Sequence, residues 1–376
     1  MKKIAIITEL SLNSVNYGNY IQAFALNYYL KNCYRDYHVE TILLKKGTGR
    51  KITSWMFYFK RIQKKIEILL QNKHDPATYK RFERFNEFAK KYIILSKKVY
   101  TYDELTKSEF DYYVVGSDIV WFQSRGFFNK TKFLAFTPKK CNARKIAYAA
   151  SFGENFLPKE NVRLIKEFLN DFNMISVRES SGIDLLNNIG IKNIKHVCDP
   201  TLLLSVEEWD FVASDVSKIN KYKNKEYAFI YILGNNKREK RIKEICNQNG
   251  IEPVFVACNN TYSNEILQKN GFDNCSPQEW VWLIKNAKYI FTDSFHGLIF
   301  STIYKKPFLI VKRENTRDLN IRMLDYLEKI DELEKLVDID MISDLKSFTW
   351  NYEIIEKKMD NFIEMSKRYI NDALRL

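Results

Sequence analysis

The sequence predicts an α/β protein of two doubly wound, parallel-sheet domains facing each other, with a C-terminal helix packing across their junction. Three observations carry that prediction. Short runs rich in β-branched residues alternate with helical stretches from the first residues onward. The alternation lapses over a lysine-rich interval after about Ser205 and restarts at Tyr227. Polar residues gather just after the apolar runs, where a parallel sheet collects the carboxyl ends of its strands. The expected organisation is a first domain over 1–205 with a helical insertion at about 51–95, a second over 206–350, and a helix over 351–376.

Each element follows in order. KIAIIT (3–8) reads as a buried strand, and the polar loop ELSLNSVNYGNY leads into the helix IQAFALNYYL. HVETILL (38–44) and DYYVVGSD (111–118) are strands, the latter ending in a Gly-Ser-Asp turn. KIAYAASFG (145–153) is another strand, followed by a helix over 159–170, and MISVRES and IKHVCDP add two short ones. The stretch SVEEWDFVASDVSKINKYKNK is free of strand signals and reads as the interdomain connection. YAFIYILG, a helix over 237–249, PVFVAC, a helix over 277–286, YIFTDSFHG with its helix, and PFLIV complete the second domain. Apolar residues at 354, 355, 359, 362 and 363 mark the last helix, from Tyr352.

The chain has 376 residues, room for two cores of roughly 150–200 residues each. Its hydrophobic content of 45% and scarcity of glycine and proline exclude a long low-complexity tail. A formal charge of +14 draws any polyanion and names none. No RNP-type strand or helix-turn-helix signal is present, so no nucleic-acid partner is expected. The six cysteines show no metal-finger spacing and read as reduced thiols. With four histidines and no ligand spacing, no metal and no resident cofactor are expected. No run approaches the roughly 18 apolar residues of a spanning helix, and the N-terminus reads as a strand, so a cytoplasmic location is expected. The basic amphipathic segment SWMFYFKRIQKKIEILL (54–70) packs on its own domain or rests on anionic lipid, the former being the better reading.

Asn16, Gly18, Asn19, Ser117, Asp118, Ser151 and Ser294 all follow strands and would line one crevice, although any one of them alone reads as a turn or cap residue. His296 stands in the strand-to-helix turn TDSFHG between two apolar runs, where open sheets place their ligands. Ser294 and the free N–H groups of that helix start suit a phosphate oxygen. Arg178 in ISVRES is the strong cation at a strand end of the first domain. Asp199 in VCDP reads as an Asx turn before Pro200. Walker-type and dinucleotide glycine fingerprints are absent.

Taken in order, NYGNYIQAFAL (16–26), DYYVVGSDIVW (111–121), KIAYAASFG (145–153), ISVRESSG (175–182), VCDPTLLL (197–204) and TDSFHGLIFSTIYKKPFLIV (292–311) resemble the polysaccharide pyruvyl transferase family, with NIRMLDYL (320–327) a weaker match. The resemblance implies a GT-B-like pair of Rossmann-like domains with the site between them. It implies transfer of pyruvate from phosphoenolpyruvate to two hydroxyls of a sugar in exopolysaccharide or capsule assembly at the cell envelope. The acceptor is a sugar or a lipid-linked oligosaccharide, so peripheral contact with an anionic membrane is expected. His296 corresponds to the family's histidine, the general acid and then base, with Asp118 or Asp293 orienting it or an acceptor hydroxyl. Arg178, Ser294, Phe295, Gly297 and Arg322 are assigned to the donor. Asn16, Tyr17, Gly18, Asn19, Ser117, Trp121, Tyr148 and Ser151 are assigned to the acceptor. Relatives carry an arginine two positions before the histidine where this chain has Ser294, leaving phosphate binding to helix-start N–H groups or to Arg313, Arg317 or Arg322. Two other readings compete: a GT-B glycosyltransferase using a nucleotide sugar, and a non-catalytic protein that binds polyanions in a basic cleft.

Overall fold

The structure is a computed structural model that describes residues 1–12, 14–52, 76–138, 142–214, 216, 219, 222–234, 238–257, 271–313, 320–342 and 344–375. The 54–70 segment and Arg317 lie outside these residues. In the first half the order is β1 (Lys3–Ile7), α1 (Tyr17–Cys33), β2 (His38–Leu44), β3 (Arg50–Ile52), α2 (Pro76–Tyr92), β4 (Leu95–Tyr100), α3 (Tyr102–Thr106) and β5 (Tyr112–Val115). Then come β6 (Phe127–Asn129), β7 (Arg144–Ala150), α4 (Lys159–Leu169), β8 (Met174–Val177), α5 (Ser180–Asn188) and β9 (Lys195–His196). In the second half are α6 (Val206–Ser214), β10 (Tyr227–Tyr231), α7 (Glu239–Gln248), β11 (Glu252–Val256), β12 (Gly271–Phe272), α8 (Pro277–Asn286) and β13 (Tyr289–Thr292). The chain ends with α9 (Phe295–Ile303), β14 (Phe308–Val311), α10 (Ile321–Lys329), β15 (Leu336–Val337) and α11 (Tyr352–Arg375).

Two sheets result. The first has seven strands in the order β4-β2-β1-β5-β7-β8-β9, and the second six in the order β12-β11-β10-β13-β14-β15. Within both, every strand pair is parallel. Strands β5, β10 and β14 are buried throughout, which is why they read as unbroken apolar runs rather than alternating ones. Chain order reverses between β1 and β5 in the first sheet and between β10 and β13 in the second. Loops diverge at such points and leave a crevice beyond the strand ends. The expected pair of Rossmann-like domains is therefore present.

The two halves share one core. Helix α1 buries residues on nearly every side, consistent with a helix enclosed between layers. Tyr17 stacks on Trp280 of α8 at 5.6 Å between centroids, and its hydroxyl donates to the Cys275 carbonyl at 2.9 Å. The first part of the interval after Ser205, expected as the strand-free interdomain connection, forms α6. Its Trp209 lies edge-on to Phe24 at 5.5 Å and Phe300 at 4.7 Å, and its indole N–H donates to the Thr201 carbonyl. Where the expected insertion at 51–95 is described, α2 lies against α1, and β4 joins the sheet edge rather than standing apart. Helix α11 spans the junction as expected. Near its start Met359 accepts from the Tyr326 hydroxyl of α10. Farther along, Ser366 Oγ accepts from the Cys198 N–H and the Tyr369 hydroxyl donates to the Ala147 carbonyl of β7.

A partly buried ion pair also joins the halves. Glu279 closes a capping box with Ser276 at the start of α8, and its other oxygen accepts from Arg84 of α2 at 2.5 Å. Arg84 also donates to the Asn274 carbonyl at 2.8 Å. Removing one partner of such a pair leaves a desolvated charge. Arg84→Met is expected to lower stability by about 3 kcal/mol, read as a drop in the urea midpoint, whereas Arg84→Lys loses less.

Candidate active site

The loops after β5, β8 and β9 and the turn after β13 converge at the reversal points of the two sheets. Asp118 follows β5 in a left-handed turn with φ 62°, a conformation that aspartate tolerates and that turns its carboxylate toward β8. Arg178 follows β8, Asp199 follows β9, and His296 lies in the first turn of α9. All four are at least 95% buried.

Asp199 is the hub. One carboxylate oxygen accepts from the Thr201 N–H at 3.0 Å and the Thr201 hydroxyl at 2.8 Å, forming the expected Asx turn. The other accepts from Arg178 Nη1 at 2.9 Å and from the Ser117 hydroxyl at 3.4 Å, and lies 3.5 Å from His296 Nε2. The turn reading of Asp199 is thus correct for one oxygen and incomplete for the residue. Burial alone would raise the Asp199 carboxyl, yet the charges of His296 and Arg178 hold it well below the usual carboxylate range.

Arg178 is enclosed by acids. Its Nε donates to Glu179 at 2.7 Å, and Nη1 and Nη2 lie 3.5 Å from Asp118. Burial favours loss of its proton, but Glu179, Asp199 and Asp118 outweigh it and hold the group charged. Phe295 lies beneath two cations, 4.3 Å from the Arg178 guanidinium and 6.0 Å from that of Arg322. Arg322 comes from α10 in the other half and approaches Asp118 at 3.6 Å. Burial and the Arg178 charge both favour its neutral form. Its Nε is buried without a partner, as are His296 Nε2 and Asn19 Oδ1. Polar atoms left open this way at one crevice are where a ligand supplies the missing hydrogen bonds.

Gly18, in the first turn of α1, lies against the His296 imidazole. A Cβ at position 18 would lie 2.3 Å from His296 Nδ1, so only glycine lets the ring sit there.

Several expected site residues sit elsewhere. The rings of Tyr17, Trp121 and Tyr148 belong to the core and offer no face to the cleft. Trp121 stacks on Phe133 and donates to the Lys132 carbonyl, and the Tyr148 hydroxyl donates to the Cys198 carbonyl. Asp293 does not orient His296. It accepts from the backbone N–H groups of Leu233 and Gly234 and pairs with Arg313 at 3.0 Å. The Ser294 hydroxyl is engaged as the cap of α9, accepting from the Gly297 N–H at 3.3 Å. Ser151 likewise accepts from the Gly153 N–H. Asn16 precedes α1 without capping it through its side chain. Glu179 and Asp199, absent from the expected set, are part of the cluster. Both follow short strands, as Arg178 does, and that shared placement is the sequence signal for them. Among the described residues no group of three or more His, Cys, Asp or Glu is arranged to hold a metal ion, and no helix is long and apolar enough to cross a membrane.

Comparison with known proteins gives a consistent answer. The family model described as polysaccharide pyruvyl transferase matches residues 16–315. No match is found among curated proteins. Among solved structures, UDP-GlcNAc 2-epimerase from Methanocaldococcus jannaschii is similar at a TM-score of 0.53 and 14% identity, over 96% of this chain and 93% of that one. The S. aureus MnaA–UDP co-structure gives 0.55 and 12%, over 99% and 95%. A putative UDP-N-acetylglucosamine 2-epimerase from Listeria monocytogenes gives 0.55 and 10%, over 99% and 90%. Likeness at such identity shows the fold, a GT-B-like pair of α/β domains.

Two outcomes follow from this geometry. Gly18→Ala overpacks the imidazole and is expected to cost about 1–3 kcal/mol and to displace the His296 ring signals in an NMR titration. The folded Asp199 carboxyl is depressed, so its contribution to stability is present above the unfolded carboxylate range near pH 4 and is lost as pH falls through and below it. Asp199→Asn is therefore expected to flatten the acid limb of a plot of melting temperature against pH, and an unchanged limb would contradict the arrangement.

Proposed function

The chain belongs to the polysaccharide pyruvyl transferase family, and from that premise we propose that it moves pyruvate from phosphoenolpyruvate to two hydroxyls of a sugar, forming a ketal and releasing phosphate. The sugar belongs to a surface polysaccharide or its lipid-linked precursor. The reaction runs at the cytoplasmic face of the membrane.

The observation that carries this reading is the His296–Asp199 pair set beside two guanidinium groups in an interdomain crevice. Asp199 lies 3.5 Å from Nε2 and orients the ring. His296 then gives a proton to the methylene carbon of the donor, which becomes a methyl group and leaves an oxocarbenium-like centre. A sugar hydroxyl adds to that carbon and returns its proton to His296. The phosphate departs with that proton, and the second hydroxyl closes the ketal with its own proton going back to the imidazole. One proton is gained at carbon and one at phosphate, matching the two lost by the sugar. Arg322, whose Nε is buried without a hydrogen-bond partner, receives the donor's anion. Arg178, its charge offset by three acids, holds the loops after β5, β8 and β9 together beside it.

The fold neighbours include one bound to UDP, so a nucleotide-sugar glycosyltransferase is the reading to test beside it. Thermal shift with phosphoenolpyruvate is expected to raise the melting temperature, and a panel of UDP- and GDP-sugars to leave it unchanged. Incubation with phosphoenolpyruvate and glycan intermediates from the source cell is expected to give a pyruvylated sugar by mass spectrometry with matching release of phosphate. His296→Gln is expected to reduce turnover by about 10²–10⁴-fold. Full turnover in that variant would remove His296 from the chemistry.

A further inference from the structure

Helix α10 brings Arg322 to the cleft, and on the same face one turn later it carries Asp325. The two side chains reach different targets in the first half of the molecule. Arg322 extends toward Asp118 at 3.6 Å. Asp325 meets the start of α5, where one carboxylate oxygen accepts from the Ser180 N–H at 2.8 Å and from the Ser180 hydroxyl. Its other oxygen lies 3.5 Å from His196 Nε2, the same nitrogen that sits 2.9 Å from the Arg178 carbonyl.

Helix α5 does not cap itself. Glu179 occupies its N-cap position without a side-chain cap bond, because its carboxylate pairs with Arg178. An opening N–H of α5 is instead satisfied by a carboxylate from the other half of the molecule, a favourable place for negative charge. Burial would raise the Asp325 carboxyl, but hydrogen bonds from His196 and Ser180 outweigh it and lower it. Three consecutive residues therefore act at three points. Arg178 lies in the cleft, Glu179 braces it, and Ser180 is fastened to the helix that delivers Arg322.

We propose that Asp325 is a positioning residue, which sets the distance between the Arg322 and Arg178 guanidinium groups by docking α10 onto the start of α5. Its consequence for the reaction rests on the reading above that Arg322 receives the anion of the donor. A capping role alone would predict something different. Loss of the cap would then lower stability while Arg322 kept its place against Asp118 and Phe295.

Phenylglyoxal, which modifies accessible guanidinium groups, separates the two without any substrate. Full-length protein and its variants are labelled, and the modified arginines are identified by peptide mass spectrometry. Arg322 is expected to react about tenfold faster in Asp325→Asn, while Arg178, deep in the cleft, keeps its slow rate and serves as the gauge of an intact fold. Ser180→Ala removes one hydrogen bond and no charge, and gives the same change in a smaller size if Asp325→Asn disturbs folding. Equal Arg322 labelling in wild type and both variants overturns the proposal. With substrate present, phosphoenolpyruvate is expected to protect Arg322, and Asp325→Asn to raise its KM about tenfold with kcat near wild type. Faster labelling in Asp325→Asn together with no protection by phosphoenolpyruvate supports the positioning role and removes the donor assignment instead.

Discussion

The cleft depends on one carboxylate kept out of water. Asp199 is 2% exposed, and a bare carboxylate at that depth is strongly disfavoured by lost hydration. It is tolerated because Thr201, Ser117 and Arg178 donate to it and His296 stands against it. Those partners come from separate loops of the first sheet and from a helix of the second. The same charge that orders the loops after β5, β8 and β9 therefore also holds the imidazole from the opposite half. Electrostatic organisation of the cleft and closure of the two halves are one arrangement here.

The junction behind the cleft is correspondingly stiff. Tyr17, Trp209, Trp280 and Phe300 interlock across it with ring centroids 4.7 to 5.6 Å apart. Aromatic edges and faces fix orientation as well as separation. A reaction that passes through a charged carbon gains from dipoles already in place, since no reorganisation is then needed as charge develops. Packing behind the site backs the contacts within it in keeping those groups aimed.

Much of this arrangement was legible in the sequence. Parallel strands buried on both faces must be apolar without alternation, so YYVV, YAFIY and FLIV announced themselves. The position of His296 followed because a polar residue between a strand and a helix has few places to go but the crevice. Aromatic residues misled for the same reason. Tyr17, Trp121 and Tyr148 lie beside polar loop residues in the chain, but their side chains point into the core, and adjacency in sequence does not report direction. The Asx turn of Asp199 is local and visible in the sequence, whereas its second oxygen acts over a distance that only the fold defines. Helix α6 leaves little trace in the sequence, because its buried face consists of Trp209, Val212 and Ala213, a short stripe within the connection.

The contact between Gly18 and His296 has a mechanical meaning. Each residue stands in the opening turn of a helix, one from each half, and the imidazole rests against bare main chain. Here the two halves have already reached the limit of their approach. At this point the separation of the halves is set by an imidazole against main chain, with no room for even a methyl group between them.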